Sequence, residues 1–236
     1  MLALGAALLY GLASVFQQAS ASKVDDAKTL RPGLLLALVH RPMWVLGIVC
    51  DFGGFALQAL ALSVGSLSLV QPLLVTGLVV ALPLAARMSG TRMTRRDWFA
   101  ATELLVGLIV FLVLATPSRG AFNMTGRSWF VFTVVTVILA AATVVLAPRH
   151  RGSTRAALLC SGAAIMYVYS GALTKYCGVV ARHHPLSLAT RWELYGLIGA
   201  ACIGLLLNQS GFQAGPLVAA LPPLTVIEPI GAVVVG

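Results

Sequence analysis

Long apolar runs alternate along the chain with short polar stretches that hold nearly all of its charge. The apolar runs cover residues 1–21, 43–62, 67–86, 98–116, 129–147, 156–174, 192–212 and 216–236. A helix needs about 20 apolar residues to cross a hydrocarbon core, so the pattern predicts eight transmembrane helices in an all-α bundle. Helices are favoured because a lipid-facing backbone must satisfy its own hydrogen bonds, and a membrane barrel would show alternating segments of about ten residues. The run LLLALVH at 34–40 is too short to cross, and predicts an interfacial or re-entrant segment over 33–40. The first run ends in ASA but lacks a basic leader, so it reads as a helix rather than a cleaved signal.

Composition agrees with this pattern. Of 236 residues, 59% are hydrophobic and 10% charged, with mean hydropathy +0.94. A water-exposed surface cannot be built from so little charge without large apolar patches, so the solvent is the bilayer. The net charge of +9 would suggest nucleic acid in a soluble protein. Here the basic residues sit between apolar runs and are read as topology signals, with no nucleic acid implied. Eleven of them (Lys23, Lys28, Arg31, Arg41, Arg87, Arg92, Arg95, Arg96, Arg149, Arg151 and Arg155) fall in loops after odd-numbered helices. Five (Arg119, Arg127, Lys175, Arg182 and Arg191) fall on the other side. Positive loops stay inside, which predicts a multi-pass protein of the cytoplasmic membrane with its N-terminus outside.

Two segments share a motif. GAALLYG at 5–11 and GAAIMYV at 162–168 align at an offset of 157, and residues 54–74 align with 204–224 at an offset of 150. The second alignment pairs Gly54, Gly65 and Pro72 with Gly204, Gly215 and Pro222. It predicts two homologous units within one transmembrane domain. The first spans 1–147 with five helices; the second spans 156–236 with three and is incomplete. Five crossings separate the two starts, so the second unit enters the membrane with opposite polarity, the inverted-repeat plan of many secondary transporters.

Candidate chemistry follows from this plan. Gln58 and Asn208 occupy matched positions, and amides offer donors and acceptors without the cost of a buried charge. Gln17, Gln71, Gln209 and Gln213, with Tyr10 and Tyr167, extend the candidate substrate surface; hydrogen bonding between helices is the alternative role. Asp51 and Glu228 lie near the middle of their runs, as cation ligands, proton carriers or a structural pair. Glu103 and Glu193 lie nearer segment boundaries. Lys175 either snorkels to the interface or meets an anionic group. Pro72, Pro222, Pro223 and Pro229 are candidate helix breaks, each removing a backbone donor. The four cysteines have no CxxC spacing and read as small buried hydrophobes. No phosphate loop, dinucleotide loop, HExxH or nucleophilic triad is present, so neither an enzyme nor a resident metal or cofactor is expected. The expected partners are a small-molecule or ion substrate, the lipid bilayer and a second copy of the chain in a homodimer.

The stretches WVLGIVCDFGGFALQALALSVGSLSLVQPLLV, GTRMTRRDW and NQSGFQAGPLVAALPPLTVIEP resemble the drug/metabolite transporter (EamA-like) superfamily, and in particular the bacterial relatives of its NIPA-type magnesium-transporter branch. Trp44, Leu69, Val70, Pro72 and Leu73 fit the pattern of that branch in the first half, and Trp192, Asn208 and Pro222 in the second. The chain departs from it in having Asp51-Phe52-Gly53-Gly54 and Gln58 in place of a Gly-Glu followed by Asn. It also lacks a carboxylate in RMSGTRM before the basic loop. The resemblance implies alternating-access transport of an organic metabolite or drug. A divalent cation such as magnesium is the alternative cargo, and a non-transporting membrane scaffold the alternative role. It also implies nine or ten helices, so a final helix is expected beyond GAVVVG.

Overall fold

The computed structural model describes residues 1–64, 73–74, 76–88, 90, 94–114, 126–183 and 189–235. The described residues are mostly helical, with no strand among them. The helices are α1 (Leu2–Ala21), α2 (Pro32–Val39), α3 (Pro42–Val64), α4 (Gly77–Met88), α5 (Arg95–Leu114), α6 (Gly126–Leu146), α7 (Gly152–His183), α8 (Trp192–Ala214) and α9 (Leu217–Val235). Four stretches, Leu2–Ala21, Gly126–Arg149, Gly152–Thr174 and Trp192–Ala214, are long and apolar enough to cross a membrane. A fifth span forms if α2 and α3, bent by 95° at their junction, act together. The protein is thus a polytopic helical membrane bundle.

α6 shows most directly which solvent the fold requires. Only Trp129, Thr136 and Ala140 of this helix are buried, while Phe130 is 70% and Ile138 60% exposed beside a row of exposed valines. No water-facing helix carries such a surface without a partner; lipid covers it. α1 has the opposite character. Its buried positions include Ala3, Ala6, Ala7, Gly11 and Ala13, small residues that let neighbouring backbones approach closely. A methyl group on Gly11 would stand 2.8 Å from the Gly77 carbonyl oxygen, and one on Gly77 would overlap the Ala7 carbonyl. α1 and α4 therefore cross almost backbone to backbone.

α1 packs between α3 and α4, and α7 packs between α8 and α9. On α7 the buried residues Ala156, Leu159, Cys160, Ala163, Met166, Tyr169 and Leu173 recur every three or four positions, which is one face of a helix. The contacts of the first group are specific. Gly5 faces Leu57, Gly54 faces the Tyr10 ring, Ala3 clusters with Ala61, and Gly11 faces Ala81. Those of the second group are Gly162 on Leu207, Gly204 on the Tyr167 ring, Gly211 on Cys160, and Gly231 on Val168. In both groups the first two helices run antiparallel, because rising numbers on one meet falling numbers on the other.

α7 extends nine residues past the apolar run that predicted it. A helix ends where backbone propensity and capping fail, whereas an apolar run ends where lipid does. The expected helix breaks at Pro222, Pro223 and Pro229 are not breaks: all three lie inside the continuous α9. Proline's fixed φ is helical, so the cost is confined to the lost donor and ring crowding. In α9 the Thr225 hydroxyl donates to the carbonyls of Leu221 (3.2 Å) and Pro222 (3.1 Å).

Candidate functional site

Residues seven apart lie two turns along one helix face. α1 places Tyr10 and Gln17 on such a face, and α3 places Trp44, Asp51 and Gln58 on another. Antiparallel packing brings the two faces together in register. The Tyr10 hydroxyl donates to Gln58 Oε1 at 2.6 Å, and two turns away Gln17 Nε2 donates to Asp51 Oδ2. α8 completes the arrangement: Gln209 Nε2 donates to Gln17 Oε1 at 2.6 Å, and Gln209 Oε1 accepts from the Trp44 indole N–H at 3.0 Å.

The result is a directed chain, Trp44 to Gln209 to Gln17 to Asp51, across three helices. Its ends fix its polarity. An indole N–H can only donate and an ionised carboxylate can only accept, so each intervening amide has one workable orientation. Every donor then points toward Asp51, an arrangement that stabilises negative charge on that carboxylate. Gln17 is 2% and Gln209 0% exposed, whereas Asp51, Gln58 and Tyr10 are half-buried and keep an accessible side.

A second tyrosine–amide pair lies between α7 and α8. Tyr167 is within hydrogen-bonding reach of Asn208, whose Oδ1 is buried and has no hydrogen-bond partner among the described residues. Asp51 and Glu228 lie in the surroundings of both tyrosine hydroxyls. Two tyrosines, two amides and two carboxylates from α1, α3, α7, α8 and α9 thus share one polar neighbourhood inside an apolar bundle. Glu228 keeps an exposed side chain there. The sequence expectation placed Gln58 and Asn208 at matched positions, and the structure gives each of them a tyrosine neighbour.

One end of the site is closed by the segment between α1 and α2. Gln213 Nε2 donates to the carbonyls of Val24 (3.0 Å) and Asp25 (2.8 Å), and its Oε1 accepts from the Thr29 hydroxyl at 2.8 Å. The Leu30 amide donates to Ser210 Oγ at 3.1 Å, and Arg155 pairs with Asp26 at 3.7 Å. Leu34 and Leu38 of α2 are fully buried beneath this strap. Sequence reading gave Gln213 only a general place among the amides and did not single out Trp44 or Ser210 as partners. The seven-residue spacing of Trp44, Asp51 and Gln58 was the available signal.

The remaining candidates lie elsewhere. Pro222 and Pro223 are half-buried in α9, and Glu103 is exposed on α5. Gln71 and Pro72 fall outside the described residues, as does the side chain of Lys175. Among the described residues no three His, Cys, Asp or Glu side chains are grouped to hold a metal ion.

Fold and interior together define a multi-pass helical membrane protein with a polar cluster in its bundle. No protein-family model matches the chain, and no solved structure matches it. Over its whole length it is similar to an uncharacterized protein of Corynebacterium glutamicum, at 32% identity over 237 aligned residues that cover 82% of that protein. The chain belongs to the same family as this corynebacterial protein.

Proposed function

We propose that the protein is a secondary transporter that moves a small organic solute across the cytoplasmic membrane by alternating access. The observation that carries this reading is the recurrence of the same helix contacts at fixed offsets. Gly5–Leu57, Tyr10–Gly54, Ala3–Ala61 and Gly11–Ala81 become Gly162–Leu207, Tyr167–Gly204, Cys160–Gly211 and Val168–Gly231 when α1 is advanced by 157 residues and its partners by 150. Small and large residues exchange places at the last pair, so the contact is retained while its side chains differ. Shared helix composition alone does not keep four contacts in register. The recurrence supports two structural units, with α1, α3 and α4 answering to α7, α8 and α9. An odd number of crossings between the units makes them inverted, with the N-terminus outside.

In such proteins the solute binds where the two units meet, and exchange of their conformations opens the site to either side. The cluster of Tyr10, Gln58, Asp51, Tyr167, Asn208 and Glu228 is drawn from both units. Tyr10 and Gln58 satisfy each other, while Asn208 Oδ1 is an acceptor left for a solute donor. Asp51 and Glu228 supply the negative charge for a coupling ion. The strap from Ser22 to Leu30 closes the cytoplasmic side. The resemblance to the drug/metabolite transporters points the same way.

Reconstitution into proteoliposomes with a panel of organic solutes and divalent cations, with and without a proton gradient, tests the reading. Uptake or counterflow of an organic solute is expected, and Gln58→Ala and Asn208→Ala should each reduce it by roughly tenfold, the loss of one polar contact at about 1.4 kcal/mol, at normal levels of folded protein. Transport unchanged in both variants removes the site assignment; a protein that moves nothing removes the function.

A further inference from the structure

A second polar feature lies far from the central cluster. Glu193 opens α8, and Gln209 lies sixteen residues further on, or about 24 Å along the helix axis at 1.5 Å per residue. Around Glu193, α6, α7 and α8 form an open pocket of about 440 Å³ lined by Gly126, Trp129, Phe130, Thr133, Tyr176, Trp192 and Glu193. Glu193 is 6% exposed, and its Oε2 is buried with no hydrogen-bond partner among the described residues. A buried carboxylate oxygen without a donor is costly. Among the described residues the one cation paired with it is Arg191, which reaches only Oε1, at 3.9 Å. The same guanidinium nitrogen donates to the Tyr176 hydroxyl at 3.1 Å, so it is shared.

The rest of the lining is aromatic. Trp129 meets Tyr176 at 5.8 Å and Trp192 at 6.1 Å between ring centroids, both nearly perpendicular. Edge-to-face packing sets the edge of one ring against the face of another, and a face that stays open, as on the half-exposed Trp192, attracts cations through its quadrupole. An unsatisfied carboxylate among aromatic rings matches the chemistry of an alkylammonium ion, whose charge is diffuse and whose surface is apolar. A hydrated metal ion needs several oxygen ligands, and an anion is repelled by Glu193. The volume is in the usual range for small-molecule sites, about 300–1,000 Å³.

The geometry points to a binding site for a small organic ammonium ion at the ends of α6, α7 and α8, with Glu193 as counter-ion and Trp129, Tyr176 and Trp192 as its walls. The site rests on this cavity alone and is separable from the transport reading, because equilibrium binding needs no transport.

The test is equilibrium dialysis of the full-length protein in detergent micelles against radiolabelled tetramethylammonium, at constant ionic strength in sodium chloride. Saturable binding is expected, with potassium unable to compete. Glu193→Gln, which keeps the side-chain shape, should weaken binding by at least about tenfold, as loss of a charged partner implies. Trp192→Leu, at a half-exposed position, should weaken it severalfold and serves as the second variant if Glu193→Gln does not fold. Absence of saturable binding to the unaltered protein overturns the proposal. So does displacement by potassium, or binding that survives the substitutions unchanged.

Discussion

Replacing Gln209 by Leu tests the directed chain at its centre. The change keeps side-chain size, so what it removes is an acceptor and a donor. The Trp44 indole N–H, on a residue 7% exposed, loses its partner, and so does Oε1 of Gln17, 2% exposed. Each orphaned buried group costs about 1–3 kcal/mol in a water-soluble reference. In membrane proteins interhelical hydrogen bonds average nearer 0.6 kcal/mol, with a maximum of about 1.7, because the unfolded chain in lipid also finds partners. Two such bonds therefore set the expected destabilisation at about 1–3 kcal/mol. The measurement is unfolding in mixed micelles followed by circular dichroism, with Trp44→Phe and the double variant completing a cycle. Trp44→Phe should cost about 0.5–1.5 kcal/mol less in the Gln209→Leu background, since its hydrogen bond is already gone. If the two changes add without coupling, the Trp44–Gln209 bond does not contribute and the chain's polarity argument fails with it.

Two further outcomes follow from the packing. Gly77→Ala should destabilise the fold by on the order of 1–3 kcal/mol, because its methyl meets the Ala7 backbone carbonyl, which no side-chain rotation can relieve. Gly107→Ala, with nothing within 4 Å, should instead be neutral or stabilising by up to about 1 kcal/mol; equal effects in thermal denaturation would contradict the α1–α4 crossing. Gln213→Leu should free the Ser22–Leu30 strap by removing three of its hydrogen bonds. Trypsin should then cut at Lys23 and Lys28 severalfold faster, and an unchanged rate would show that the strap is held by other contacts.

Most helix positions were legible in the sequence. The runs at 1–21, 43–62, 98–116, 129–147 and 192–212 fall within a few residues of α1, α3, α5, α6 and α8, because in lipid an apolar run and a hydrogen-bonded helix are nearly the same requirement. The end of α7 and the continuity of α9 through three prolines were less legible, since both depend on backbone geometry that hydropathy does not record. Among the polar residues, Gln17, Asp51, Gln58 and Gln209 stood out as interruptions of apolar runs, and each makes a hydrogen bond between helices. Their partners were not legible: the offset of 150 relates equivalent positions, whereas contact depends on which faces of antiparallel helices meet. Glu193 was read as a boundary residue, and it does open α8 beside Arg191; its burial was not legible, because it depends on the helices packed around it.

The sequence by itself determined the solvent, the helical class and the places where polar groups interrupt apolar runs. These are local properties, set by the cost of exposing backbone and charge to hydrocarbon. Only the tertiary structure decided that Trp44, Gln209, Gln17 and Asp51 form one directed chain, that Tyr10 answers Gln58, and that Gln213 holds down the strap. The reason lies in the glycine and alanine faces of α1 and α7. They set how closely the neighbouring helices approach and at what register, and hydrogen bonds that reach only about 3 Å depend on both.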